Sequence, residues 1–280
     1  MLRTVLTGPI LAMVLAMPAM ADVIPALHDA LPQEYKDNGI KAAVFNDWAP
    51  DEYLDSDGQL KGWSVDIAKE MEERLGVPFT FEGTSFDAII PGIQSKRFDA
   101  GFSSFGTTEE RLKTMDFVAQ RKIGTSFGYP MDSKLDIKTA TDACGITVAV
   151  LNGSWDVGLL EKLNANECKD NLIVLQTHGT QAQAELAVRS GRAEATVAAS
   201  VKLSYMASQT GDLKVSELVL DPVNSCIGLR KGDPLGQVMA DTIQSMIDDG
   251  TYKEIMAKWG IDDSGMLTKA LLITEKNPDL

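Results

Sequence analysis

A helix, a tight basic turn and a strand occur twice in this chain, and that repetition excludes most folds. The first copy is Ala88-Ile-Ile-Pro-Gly-Ile-Gln-Ser-Lys-Arg-Phe-Asp-Ala, and the second is Ala184-Glu-Leu-Ala-Val-Arg-Ser-Gly-Arg-Ala-Glu-Ala. Each copy ends an apolar helical face, turns on a small or basic residue and enters a strand. Between and around the copies, short β-branched runs alternate with amphipathic stretches, which is the pattern of an α/β protein. Strands are expected over 39–45, 77–82, 100–103, 146–151, 172–176 and 195–198. Helices are expected over 65–75, 85–96, 157–163, 180–190, 200–210 and 235–248. In the first helix Val65, Ile67, Ala68, Met71 and Leu75 recur at helical spacing with charged residues between them, so one face packs on a sheet. Two similar α/β lobes of about a hundred residues each fit the usual domain size. Ligands of such folds favour the crevice between lobes and the carboxyl ends of strands.

Composition narrows the partners. With 26 Lys+Arg against 40 Asp+Glu the formal charge is -14, which repels nucleic acid and other polyanions. Two His and 3 Cys without close pairing give no metal site. The first twenty-one residues carry one base, Arg3, then the apolar run Val5 to Met17 and a small-residue end, Ala19-Met20-Ala21. This reads as a secretory signal peptide over 1–21, cleaved before Asp22; it is shorter than the roughly 20 apolar residues a membrane span needs. No membrane insertion is expected of the remainder, and no Cys at the cleavage site offers a lipid anchor. Export to an oxidising compartment lets thiols pair. Cys144 and Cys168 flank one strand-turn-helix unit and are the natural partners, a closure worth about 3 kcal/mol. Cys226 is then the odd thiol, read as a small buried hydrophobe.

Three ordered motifs carry a family likeness: Gly62-Trp-Ser-Val-Asp-Ile-Ala-Lys-Glu-Met, Phe98-Asp-Ala-Gly-Phe-Ser-Ser-Phe-Gly-Thr-Thr-Glu-Glu-Arg-Leu-Lys-Thr-Met-Asp-Phe, and Gly228-Leu-Arg-Lys-Gly-Asp-Pro with Asp249-Gly-Thr-Tyr-Lys-Glu-Ile-Met-Ala-Lys-Trp-Gly. Over nearly the whole chain beyond the signal peptide, the sequence resembles the family 3 extracellular solute-binding proteins. The resemblance implies a type II, two-lobe periplasmic-binding-protein fold with two hinge crossings. It implies a monomeric, non-enzymatic protein without cofactors that captures a small carboxylate-bearing solute, a polar amino acid or a relative, in the periplasm. An ABC permease in the inner membrane would receive it. Lobe 1 is expected over 36–124 and 227–262, lobe 2 over 125–226, and a C-terminal tail over 263–280, loose because of Asn277-Pro278. The crossings are expected near 122–128 and 218–226.

Arg111 is the leading site residue, because a guanidinium pairs bidentately with a carboxylate and follows a turn rich in Ser, Gly and Thr. The resemblance assigns that role to Arg111, with Ser103, Ser104 and Gly106 as its partners, while Thr108 reads as a helix cap. The resemblance also makes Trp48 an aromatic wall, favoured over core packing because Asn46, Asp47, Asp51 and Glu52 beside it are polar. Trp63 and Trp259 match core positions. In lobe 2, Gly153-Ser154-Trp155 opens a helix whose N–H groups favour a polar or anionic group. Trp155 stands where the family often has Thr, and the sequence leaves open whether it faces the cleft or packs inward. Ala199 stands where amino-acid binders usually carry an Asp for the α-ammonium. Asp47 or Asp156 is then a substitute, or the ligand lacks a primary amine, as betaine- or ectoine-like compounds do, held in a cage of Trp48, Phe105 and Trp155. Two further readings stay open: a sensing module for a membrane receptor, and a periplasmic dehydratase with His178 at the cleft edge.

Overall fold

The computed structural model describes residues 23–261 and 265–279, without the side chains of residues 221 and 222. The signal-peptide reading lies outside the described residues. The elements in chain order are α1 (Pro25–Ala30), α2 (Gln33–Asn38), β1 (Ile40–Val44), β2 (Asp47–Trp48), β3 (Glu52–Leu54), β4 (Leu60–Lys61), α3 (Trp63–Leu75), β5 (Phe79–Gly83), α4 (Phe86–Gln94), β6 (Ala100–Phe105) and α5 (Glu109–Leu112). Then follow β7 (Met115–Pro130), a 3₁₀ turn (Ala140–Ala143), β8 (Thr147–Leu151), α6 (Trp155–Ala165), β9 (Val174–His178), α7 (Gln181–Arg189), β10 (Ala195–Ala199), α8 (Ser200–Thr210), β11 (Leu213–Val215), β12 (Leu220–Arg230), α9 (Leu235–Asp249), α10 (Thr251–Lys258) and β13 (Leu272–Ile273).

Hydrogen bonding runs without a break through the order β5-β1-β6-β12-β7-β10-β8-β9, with β11 and β13 on β7. Within each end of this path the strands pair in parallel, β1 with β5 and β6, and β8 with β9 and β10. The long strands β7 and β12 run antiparallel between the two ends and join them. The result is the two-lobe type II fold, with the β5-β1-β6 end and the β10-β8-β9 end each covered by helices. Along β12 the register slips between Leu220 and Val223 and again between Ser225 and Cys226. Such bulges bend a strand and sharpen its twist.

The expected strands and helices all form, most within two residues of the expected ends. α3 buries the apolar stripe read from its spacing, from Val65 through Ile67, Ala68 and Met71 to Leu75, and ends on Gly76 in the left-handed region. A large apolar cluster holds the first lobe and reaches Ala198 and Ala199, while two smaller clusters fill the second. Cys144 and Cys168 are joined, tying the turn before β8 to the segment after α6, and Cys226 is free and buried. The tail is docked, contrary to the loose segment expected from Asn277-Pro278. β13 pairs with β7, and the backbone oxygen of Asp279 accepts a hydrogen bond of 2.8 Å from Thr107 Oγ1, while its carboxylate accepts one of 3.1 Å from Asn224. The apolar run Leu271-Leu272-Ile273 outweighs the local turn signal, burying Ile273 fully against β7. Among the described residues no helix is long and apolar enough to cross a membrane, and no cluster of three His, Cys, Asp or Glu is placed to hold a metal.

Candidate ligand-binding cleft

The ends of β1 and β6 in one lobe and of β8 and β10 in the other converge on a single cleft. Its walls include Trp48, Ser103, Ser104 and Gly106 from the first lobe and Ser154, Trp155 and Ala199 from the second. Phe86, Leu151, Asp156 and, from the joining strands, Ile123, Thr125 and Val223 complete it. Seven of the eight ligand residues selected from sequence therefore meet in one place. The eighth, Arg111, lines an adjoining cavity that shares Ser154 and Trp155 with the first.

Each wall residue has a local reason for its position. Ser103 sits on β6 with its hydroxyl already committed, accepting from Phe45 N at 2.6 Å and donating to Phe102 O at 2.7 Å. It stitches β6 to the end of β1. Ser104 adopts φ +47, a left-handed conformation uncommon for a residue with a Cβ. Its hydroxyl donates to Asp51 Oδ2 at 2.7 Å, which holds that conformation. Gly106 is required because a Cβ there would lie 2.6 Å from Cγ of Trp155. Trp155 thus reaches across the cleft from the first turn of α6 and lies on Gly106, which answers the question the sequence left open.

Arg111 follows the Thr108 cap, whose hydroxyl accepts from Arg111 N at 3.1 Å. Its guanidinium donates to Gly106 O at 2.6 Å and to Gly153 O at 2.7 Å, one carbonyl from each lobe. Burial lowers its pKa to about 10, opposed by the Asp156 carboxylate, so it stays charged at neutral pH. Further cross-lobe contacts run from Ala182 N to Asp47 Oδ2 (3.2 Å) and from Asn152 Nδ2 to Asp87 Oδ2 (3.4 Å). Lys202 is buried with its ammonium 5.1 Å from the Trp48 ring centre and 3.6 Å from Glu185 Oε1.

Three expectations need correction. Trp48 is a core residue as well as a wall: it is 8% exposed and packs 6.4 Å from Phe45. The polar neighbours that argued against core packing are themselves half-buried or buried, Asp51 at 1% and Glu52 at 0%. The chain reverses there beneath α3, where Gly62, at φ +140, lies so close that a Cβ would meet Asp51 O at 1.9 Å. Phe105 does not join an aromatic cage, being fully buried with its ring tilted against Phe86, centres 5.1 Å apart. His178 closes β9, bonded to Gln176 Oε1 at 3.2 Å, and is not part of the cleft wall.

The cleft wall also includes Asp156. It is buried, its Oδ1 accepts from Thr125 Oγ1 at 2.9 Å, and burial raises its pKa against the opposing pull of Thr125, Ser154, its own backbone N–H and Arg111. One buried polar atom on the same walls, Trp48 Nε1, has no protein hydrogen-bond partner. Buried polar groups are normally paired, so unpaired ones on a cleft wall are open to a ligand.

The family model of the bacterial extracellular solute-binding proteins, family 3, matches residues 40–262. The chain belongs to this family. Among curated relatives, the arginine-binding protein ArgT of Corynebacterium glutamicum is 30% identical over 261 residues, covering 90% of this chain and 84% of that protein. The histidine-binding periplasmic protein of Escherichia coli is 29% identical over 76% of this chain and 84% of its own length. Among solved structures, an ancestral arginine-binding protein bound to arginine superposes with a TM-score of 0.73 at 27% identity, covering 79% of this chain and 97% of that one. The ancestral amino acid-binding protein AncCDT-1, a precursor of cyclohexadienyl dehydratase, gives 0.73 at 28% identity, covering 81% and 98%. As members of one solute-binding family, these proteins share with this chain the two-lobe frame around the cleft.

Proposed function

We propose that this chain captures an amino acid or a close relative in the cleft between its lobes and delivers it to an ABC importer. The observation that carries the reading is the convergence of seven residues selected from the sequence on one cleft wall. The named ligands of its relatives, arginine and histidine, support the same class. In this reading residues 1–21 are removed on export and the mature chain acts in the periplasm as a monomer. Trp48, Ser103, Ser104, Gly106, Ser154, Trp155 and Ala199 form the ligand site. Arg111 supplies a positive field behind Gly106 for the ligand's carboxylate, and a turn of the Trp155 indole opens direct access to it.

The lobes, 36–124 with 227–262 and 125–226, hinge where β7 and β12 pass between them, and the slips in β12 register support bending there. Contacts made only when the lobes meet, such as Arg111 with Gly153 O, add to the closed state that a bridging ligand favours. Isothermal titration of residues 22–280 against the twenty L-amino acids tests this. At least one should bind with one-to-one stoichiometry and lose tenfold or more affinity in Arg111→Met. Absence of binding by every amino acid would overturn the reading.

One observation favours a second reading. A buried carboxyl group with a raised pKa, Asp156, is what a dehydratase of this fold would need as a general acid. Turnover of prephenate or arogenate by the purified chain, lost in Asp156→Asn, would support it, and no turnover would leave binding as the activity.

A further inference from the structure

The cleft offers a charged ligand side chain nothing to pair with. Among the described residues on its wall, Asp156 alone carries a formal charge. That carboxylate is already served by Thr125 Oγ1 at 2.9 Å, by Ser154, by its own backbone N–H and by the charge of Arg111. Arg111 does not line the cleft: its guanidinium bonds Gly106 O and Gly153 O and faces the adjoining cavity. Trp155, seated on Gly106, stands on the wall of both cavities. Asp51 and Glu52 bond Ser104 Oγ without lining the cleft. The Trp48 ring, a surface that attracts cations, already has the Lys202 ammonium 5.1 Å from its centre. Most of the remaining wall is apolar, from Phe86, Ile123, Leu151, Trp155, Ala199 and Val223. Space is short as well: the cleft has a volume of about 30 Å³, enough for about two water molecules, against about 570 Å³ in the adjoining cavity.

We infer that the ligand is an amino acid with a compact, uncharged, apolar side chain, and that Trp155 is the residue that sets this specificity. The inference rests on the amino-acid reading above and narrows it. A guanidinium, ammonium or carboxylate on the side chain would be buried without a counter-charge, a cost large enough to decide selectivity. A methyl or branched hydrocarbon group instead gains by leaving water for Ile123, Leu151 and Val223. Trp155 closes the direction in which a longer side chain would run, since the larger cavity beyond it is lined by Arg111, Asp87, Glu110 and Glu161. The side chain accepted thus differs from those of arginine and histidine, for which relatives are named.

The test is calorimetry of the mature chain and two variants against the twenty L-amino acids. Wild type should bind alanine or valine about tenfold or more tightly than arginine, histidine or glutamate. Trp155→Ala should join the cleft to the adjoining cavity and shift the ratio of arginine to valine affinity about thirtyfold or more toward arginine, a gain of recognition that lost structure alone does not produce. Trp155→Phe, which keeps an aromatic ring against Gly106, should hold the wild-type order. Circular dichroism melting of each variant separates misfolding from altered recognition; should Trp155→Ala fail to fold, the wild-type order and Trp155→Phe decide. Tightest binding of a charged amino acid by wild type would overturn the inference and leave the amino-acid reading standing. An affinity ratio unmoved in a folded Trp155→Ala, or a changed order in Trp155→Phe, would overturn the role of Trp155. If wild type binds none of the twenty, the amino-acid reading falls and this inference falls with it.

Discussion

Asp51 and Glu52 are consecutive, buried, and served by one hydroxyl, Ser104 Oγ, at 2.7 and 3.3 Å. Asp51 Oδ1 and Glu52 Oε1 have no hydrogen-bond partner, and burial together with the Asp51 charge pushes the Glu52 carboxyl well above its ordinary range, against the pull of Lys202. Two such groups resist joint ionisation. Glu52→Gln should therefore be neutral or stabilising at pH 8, by up to about 1 kcal/mol, since an amide removes the repulsion and adds donors. Urea denaturation measures it; a loss of more than about 2 kcal/mol would show that the ionised pair is a net support. The same residues show where sequence reading reached its limit. Arg111, Ser104 and Gly106 stood out because their chemistry and spacing are local. The burial of Asp51 and Glu52 depends on α3 and β6, which lie far along the chain, and a local count of polar neighbours placed Trp48 too near the surface.

At the scale of elements, helical and strand periodicity located every expected helix and strand, because each buries one face against the sheet. β7 was not legible: its 16 residues, Met115–Pro130, include Arg121 and Lys122 and pair successively with β12, β10, β11 and β13. Its mixed pattern reflects a strand whose neighbours change along its length. The bridge between Cys144 and Cys168, by contrast, was readable from export and from the unit they flank. It closes a sequence separation of 24 residues around β8 and α6. Cys144→Ser with Cys168→Ser should lower stability by about 3 kcal/mol, seen as a lower urea midpoint for the second lobe. An unchanged midpoint would mean that the packing of Leu160, Leu163 and Ile173 already restricts this segment without the bridge.

The whole molecule carries an acid imbalance with a predictable sign. Burial raises the pKa of Glu52, Asp156 and Glu185 in the folded chain; Lys202 opposes the shift at Glu52 and Glu185, and Arg111 opposes it at Asp156. A carboxyl group with a higher pKa folded than unfolded binds more protons when folded, so stability falls as pH rises from about 4 through the raised value. The formal charge of -14 adds repulsion of the same sign. Asp142, Asp212, Asp249 and Glu275 shift downward and act oppositely, losing stability as pH falls below about 4, but they lie at the surface where solvent screens them. The melting temperature of the ligand-free chain should thus be higher at pH 5 than at pH 8, as differential scanning calorimetry would show; a steady rise from pH 5 to pH 8 would contradict this balance.

On the proposed function, the cleft between the lobes holds an amino acid. A thermal-shift screen of the mature chain and Ala199→Leu against the twenty L-amino acids tests it most directly. The Leu side chain would fill the cleft beside Trp48 and Trp155. At about a hundred times its dissociation constant a ligand stabilises by about 2.7 kcal/mol, or several degrees for a chain of this size. That shift is expected for at least one amino acid with wild type, and its loss with Ala199→Leu. No shift with any amino acid, or one equally large in Ala199→Leu, would contradict it.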